Sequence, residues 1–220
     1  MTSQIKLTYV NGRGLAESGR MIMAAAGVEW EERHLADKSE IEQLRKDGVL
    51  MFDQIPLLQI DGLNLVQSRA IIHYLANKYN LAGKTAAEKA TVNMVLEGAK
   101  DFGVYGSIPF YPKESQEGVL NENKKKAEDR YLPAFEKVLA DNNSGYFVGD
   151  SLTAADVVVF ENLLSMDEYF PSLIPAYPKL QIFFDKMKNN ANLSAYLSSN
   201  KRFPQPDDVY VAGVRKILYT

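Results

Sequence analysis

Two short, largely apolar runs, Leu57–Ile60 and Leu63–Val66, are joined by Asp61-Gly62, and this arrangement constrains the chain more than any other feature. Asp-Gly between apolar runs predicts a tight β-hairpin, because both central residues of the favoured turn need φ > 0 and glycine adopts it without steric cost. Pro56 stands at the mouth of the first run, where a strand tolerates a missing N–H. Gln67-Ser68 closes the second run, and the periodicity there changes from two to that of a helix. A hairpin entered through proline and left through a polar helix start makes a compact site. Unpaired backbone near Ile55 can hold a peptide-like ligand, and the free N–H groups after Gln67 can hold a carboxylate.

The flanking sequence supplies a small mixed α/β unit. Residues 5–9 alternate apolar and polar and predict a strand, broken by Gly12-Arg13-Gly14. A helix rich in Met and Ala is expected over 15–26, with Gly27 as its C′ residue. A second strand over 28–35 follows, then a short helix over 39–46 begun at a Ser39 cap with Asp37 just upstream. After the hairpin, apolar residues at helical spacing mark a helix over 68–79, so the expected order is β-α-β-α-β-β-α. Residues 82–85 look like a linker between a domain over 1–81 and an all-helical domain over 86–220. Helices are expected over 86–108, 115–142, 154–170, 179–189 and 192–199, with a final amphipathic segment over 208–218. Thr153-Ala-Ala-Asp156 has the spacing of a capping box, with Leu152 and Val157 placed for a hydrophobic staple.

Apolar residues make up 46% of the 220 and charged residues 24%, enough to bury a core. The net charge of −3 argues against nucleic acid as the main partner. With no cysteine, disulfides, thiolate nucleophiles within the chain and Cys-based metal sites are excluded. The N-terminal residues lack the apolar stretch of a signal peptide and no run is long enough to span a membrane. A soluble, cytoplasmic protein without membrane insertion is expected.

Tyr9 ends the first strand beside a glycine-rich turn, at the sheet edge where open α/β sheets place ligands. A phenol there can donate a hydrogen bond to a thiolate. Lowering a model thiol pKa of about 8.5 by roughly two units takes roughly 2.7 kcal/mol, within reach of one hydroxyl and neighbouring dipoles. Taken alone, Tyr9 is one of 12 tyrosines and packing is the commoner role. The Gly12 turn carries no G-x-G-x-x-G. His34 and His73 share no ligand-spaced partners, so no metal is expected. Lys124-Lys-Lys126 suits a solvated helix face, and no G-x-S-x-G supports an acyl-transfer triad.

The ordered series of segments is more specific than any single motif. It comprises residues 9–20 (YVNGRGLAESGR), 24–32 (AAAGVEWEE), 51–62 (MFDQIPLLQIDG), 65–71 (LVQSRAI), 78–84 (KYNLAGK) and 130–139 (RYLPAFEKVL). Over essentially its whole length the chain resembles a cytosolic glutathione transferase of the alpha class. The resemblance implies a thioredoxin-like N-terminal domain, an all-helical C-terminal domain and a homodimer. It implies conjugation of the glutathione thiolate to hydrophobic electrophiles such as aryl halides and alkenals, in detoxification, with glutathione-dependent peroxidase activity as a second capacity. Glutathione is then a co-substrate and no further cofactor is required. Tyr9 matches the tyrosine that hydrogen-bonds the sulfur. Gln54, Ile55 and Pro56 match the segment that pairs with the cysteinyl part, with a cis Ile55–Pro56 bond. Gln67 and Ser68 match the pair at the γ-glutamyl carboxylate, and Arg45 the basic residue near the glycine carboxylate. Asp101 and Arg130 match residues that reach glutathione from the neighbouring subunit. Phe52 matches a dimer key, with Met94 and Phe135 as candidates for its socket; a local core aromatic is its other reading.

One position departs from the pattern. Where the class carries an arginine near the thiol, this chain has Leu15, so a cation beside the sulfur is lost. The second-substrate pocket is expected to draw on Val10, Val104, Ser107, Ile108, Phe110, Tyr111, Tyr210, Val214 and Ile217. Residues 203–215 look like the branch of the class that conjugates 4-hydroxyalkenals, products of lipid peroxidation. Tyr210 would there polarise the carbonyl oxygen; an ordinary amphipathic-helix aromatic is the alternative. Two further readings are a carrier of apolar ligands, favoured by Leu15, and a structural descendant of the fold. The retention of Tyr9, Gln54, Pro56, Gln67, Ser68 and Asp101 argues against the latter.

Overall fold

The computed structural model describes residues 4–219. Strand β1 (Lys6–Val10) leads through a 3₁₀ turn (Gly14–Ala16) into helix α1 (Glu17–Ala25). Strand β2 (Glu31–Leu35), helix α2 (Lys38–Lys46), the hairpin β3 (Leu57–Ile60) and β4 (Leu63–Val66), and helix α3 (Ser68–Lys78) complete the expected order. The sheet runs β2-β1-β3-β4, with β1 parallel to β2 and antiparallel to β3. Leu7 through Val10 are all buried, as expected of a central strand covered on both faces.

Local chemistry accounts for most boundaries. Asp61 and Gly62 have φ of 52° and 77°, the two left-handed residues a tight hairpin turn demands, and Ile60 faces Leu63 across it. Helix α1 ends in a Schellman motif: Val28 N–H donates to Met23 C=O at 2.9 Å and Gly27 N–H to Ala24 C=O at 2.8 Å. That motif occupies residue 28, so β2 begins at Glu31 rather than at 28. The cap of α2 is Asp37, whose carboxylate accepts the Ser39 N–H at 2.8 Å; the expected Ser39 cap lies inside the helix.

Beyond residue 80 the chain is helical. Helices α4 (Ala86–Phe102), α5 (Lys113–Lys126), α6 (Leu132–Asn142), α7 (Ala154–Asp167), α8 (Pro178–Lys188), α9 (Ala191–Leu197) and α10 (Asp208–Leu218) make up this part, with short 3₁₀ turns at Tyr105–Phe110 and Ile174–Ala176. The helix expected over 86–108 stops at Phe102. The Asn162 amide donates to Ala99 C=O at 2.8 Å and occupies the space a side chain at Gly103 would need. The helix expected over 115–142 is interrupted by a π-helical segment, Ala127–Tyr131. Thr153 and Asp156 form the expected capping box of α7, and Thr85 with Glu88 forms another at the start of α4.

Helix α7 is the axis of the core, with Val157, Val159, Phe160, Leu163 and Met166 fully buried. The two halves are stitched by polar contacts, the first of them buried. Tyr196 donates to Glu17 at 2.9 Å, Asn192 to Ala25 C=O at 3.1 Å, and Arg13 pairs with Glu168 at 2.7 Å. The result is a thioredoxin-like domain with a four-stranded mixed sheet, packed against a helical domain.

Candidate active site

A cleft of about 570 Å³ opens where the end of β1 and the hairpin entrance face α4, α7 and α10. Tyr9 lies in its wall and is only 5% exposed. Its hydroxyl oxygen accepts the Leu15 N–H at 3.0 Å. The Tyr210 hydroxyl, from α10, donates to the same oxygen. With both acceptor positions occupied, the Tyr9 O–H is left to point elsewhere. Gly14 makes this meeting possible. It has φ +43°, and a side chain there would run into both hydroxyls.

Burial raises the Tyr9 pKa above the ordinary phenol value, while the Leu15 N–H, the Tyr210 hydroxyl and Arg20 pull it back. Tyr9 is therefore a protonated donor at neutral pH. Burial and the neighbouring Tyr9 push Tyr210 upward as well. The Arg20 guanidinium, fully buried, lies 5.9 Å from the centre of the Tyr9 ring. It holds the Gly12 and Arg13 carbonyls at 2.9 and 3.1 Å and pairs with Glu17 and Glu32. The turn that carries Leu15 past Tyr9 is thus anchored from beneath. The Leu15 side chain is exposed at the cleft rim.

The hairpin entrance forms the adjoining wall. Ile55–Pro56 is cis and buried, just ahead of the ladder, which begins at Leu57. Gln54, Ile55, Ser68 and Arg45 line the cleft, and Arg45 is steadied by two hydrogen bonds to Asp53 C=O at 3.0 and 3.2 Å. Gln67 has φ 70° and its amide donates to Gln54 at 3.2 Å, tying the two ends of the hairpin together. It precedes α3 without a side-chain cap, so the first N–H groups of that helix stay open to an anion.

Among the residues expected around the second substrate, Ser107, Phe110, Tyr210 and Val214 line the cleft. Val10, Ile108 and Ile217 are instead buried in the core, and Val104 and Tyr111 lie off the cleft wall. The 3₁₀ geometry explains part of this. Residues three apart eclipse in such a turn, so Tyr105 and Ile108 both point inward. Phe110 meets Tyr210 edge-on at 5.8 Å. Sequence reading did not single out Gly14 as the floor beneath two hydroxyls, nor Ser18 and Glu161 in the cleft wall. Each depends on contacts across long sequence separations.

Asp101 and Arg130 are exposed and absent from the wall of this chain's own cleft, with Arg130 in the π-helical segment. Met51, Phe52 and Met94 are exposed by 78%, 58% and 66%, each a large apolar side chain without cover in the single chain. Phe135 is buried, edge-on to Phe102 and Phe147.

No group of three or more potential metal ligands occurs among the described residues, and no helix there is long and apolar enough to cross a membrane. Residues 5–77 match the model of the glutathione S-transferase N-terminal domain, and residues 101–200 that of the C-terminal domain. Human glutathione S-transferase A1 is 40% identical and human A4 37% identical, each alignment covering 99% of both chains. The solved glutathione S-transferase of Ascaris lumbricoides superposes with a TM-score of 0.75 at 33% identity, over 94% of this chain and 100% of that one. A monomeric glutathione S-transferase from the hookworm Necator americanus gives 0.79 at 30% identity, over 90% and 97%. With both family domains matched in order and relatives aligned end to end, the chain belongs to the glutathione S-transferase family, in its alpha class, and is a glutathione transferase.

Proposed function

We propose that the cleft binds glutathione along the hairpin and activates its thiol through Tyr9, for attack on hydrophobic electrophiles in detoxification. The observation that carries this reading is the Tyr9 hydroxyl, protonated, its oxygen already taken by Leu15 N–H and Tyr210. Its remaining hydrogen bond is free for a sulfur anion, as a preorganised donor should be. The thiol proton goes to solvent. The thiolate then forms the C–S bond, and an aryl halide releases halide or an alkenal takes up a proton on its enolate.

Gln54 and Ile55 suit the cysteinyl backbone, Gln67 and Ser68 with the open N-terminus of α3 suit the γ-glutamyl carboxylate, and Arg45 suits the glycine carboxylate. Pro56 shapes the loop that presents Ile55. The division falls at the 82–85 segment, where the Thr85 cap starts the helical domain. The exposed Met51, Phe52 and Met94 favour a homodimer in which Phe52 is the key and Asp101 and Arg130 reach the partner's glutathione. A cytoplasmic location is consistent with this chemistry.

Tyr210 supports alkenals as one substrate class, since its hydroxyl lines the cleft beside Tyr9 and, by turning from the Tyr9 oxygen, can donate to the carbonyl oxygen of a bound alkenal. The test is conjugation of glutathione to a chlorodinitrobenzene-type aryl halide and to 4-hydroxynonenal, with Tyr210→Phe alongside. Turnover of both by the native chain supports the reading, and a selective loss of alkenal turnover in the variant supports the role of Tyr210. Glutathione binding without turnover of either would favour a ligand carrier instead.

A further inference from the structure

The wall that α7 gives the cleft is polar, though the helix is otherwise mostly apolar. Val158, Glu161 and Ser165 share one face of α7 and turn it toward the cleft, while most of the rest of the helix is packed in the core. Gly106 also lines the cleft, and nothing lies within 4 Å of where a side chain there would begin. Glu161 is half-buried and accepts two long hydrogen bonds, from the Ser18 hydroxyl at 3.3 Å and the Ser165 hydroxyl at 3.4 Å. A carboxylate has about four acceptor positions, so most of its capacity is unused.

The surrounding charges do not neutralise it. Arg13 is paired with Glu168, Arg20 with Glu17 and Glu32, and Arg202 with Glu17. Glu161 is in no ion pair among the described residues, so when it is ionised these three guanidiniums face four carboxylates, a surplus of one negative charge. The charged groups acting on Glu161 are Glu17 from α1, Arg202 from the loop before α10 and Arg13 from the turn after β1. Lys100 lines the cleft but is not among them.

We propose that Glu161 makes the α7 wall of the cleft a subsite for an ammonium group carried by the second substrate. This rests on the glutathione-conjugating reading and narrows it to electrophiles that bear a basic nitrogen beyond the reacting carbon. The ammonium would donate to the spare lone pairs of Glu161 and cancel the surplus charge. Burial and Glu17 hold the Glu161 carboxyl up to about 7, so its charge, and with it the preference, changes across neutral pH.

The test compares glutathione conjugation of a neutral nitroaryl chloride with that of its dimethylaminoalkyl counterpart, from about pH 5.5 to about pH 8.5, a range over which an aliphatic amine stays protonated. The readout is the ratio of the two kcat/KM values. The native enzyme is expected to favour the amine about tenfold at the alkaline end, the scale of one charge-assisted hydrogen bond, with the ratio falling below pH of about 7. Glu161→Gln should bring the ratio near one with no pH dependence, and Glu161→Asp should keep part of both. A native ratio near one, or an unchanged ratio in Glu161→Gln, overturns the proposal. If neither aryl chloride is conjugated, the glutathione reading fails on its own. Calorimetric titration with 4-phenylbutylamine then decides the subsite: binding that Glu161→Gln abolishes supports it, and no binding to the native chain refutes it.

Discussion

The Leu15 N–H donates to the Tyr9 hydroxyl oxygen at 3.0 Å, so the residue standing where the class resemblance implies an arginine still acts on the Tyr9 phenol through its backbone. A backbone donor is indifferent to the side chain it carries. The Leu15 side chain itself is 64% exposed and adds no charge to the site.

Leu15→Arg should therefore keep that hydrogen bond and add a cation at the cleft rim. The expected outcome is a further fall of up to about one unit in the pKa of bound glutathione thiol, weakening as salt screens the exposed charge. Absorbance titration of the thiolate at low and high salt checks it; an unchanged pKa would mean that position 15 does not reach the sulfur.

Gly14→Ala tests the meeting of Tyr9 and Tyr210. The new methyl group would enter the space of both hydroxyls on a backbone with φ +43°, so both must shift and their meeting is broken. A loss of roughly 10²-fold in kcat/KM is expected, the scale of one displaced oxyanion donor, with about 1 kcal/mol of stability lost to the left-handed backbone. Full activity in this variant would show that the two-tyrosine arrangement is dispensable.

What was legible in the sequence follows from how local each signal is. The Asp61-Gly62 turn fixes the hairpin within two residues, and Thr153 and Asp156 set the start of α7 from within one turn. The breaks at Gly103 and Ala127–Tyr131 were not legible, because at Gly103 the competing partner is Asn162 of a distant helix and the π-helical segment has no comparable local marker. The candidate site divides the same way. The 54–68 stretch stands out from its local pattern, whereas Tyr9 is one of 12 tyrosines and is singled out only by the family resemblance. The approach of Tyr210 across some 200 residues, and the isolation of Glu161 among paired charges, exist only once the chain is folded.

The Glu161 carboxyl also leaves a signature in stability. Its folded pKa of about 7 lies above the roughly 4.3 expected unfolded, so the native state holds the proton more tightly. Its contribution is fully present below about pH 4.3 and is lost as pH rises to about 7. Glu161→Gln should remove that part of the decline in melting temperature across this window, and a parallel decline in both proteins would contradict it.

The exposed Phe52 and Met51 give the proposed homodimer its own test. Phe52→Ala removes an apolar key worth about 1.5–3 kcal/mol when fully buried, twice over in a two-fold dimer. Sedimentation should show a shift toward monomer, and activity per chain should fall as Asp101 and Arg130 are withdrawn from the neighbouring site. A native chain that already sediments as a monomer, like its hookworm neighbour, would rule the arrangement out.

The most direct measurement is the titration of glutathione thiol bound to the native protein and to Tyr9→Phe. If Tyr9 stabilises the thiolate, the bound thiol in the native protein titrates at least about one unit below the free value of about 8.5, and Tyr9→Phe returns it close to that value. A native thiol titrating near 8.5, or the same lowered value in both proteins, would contradict the account.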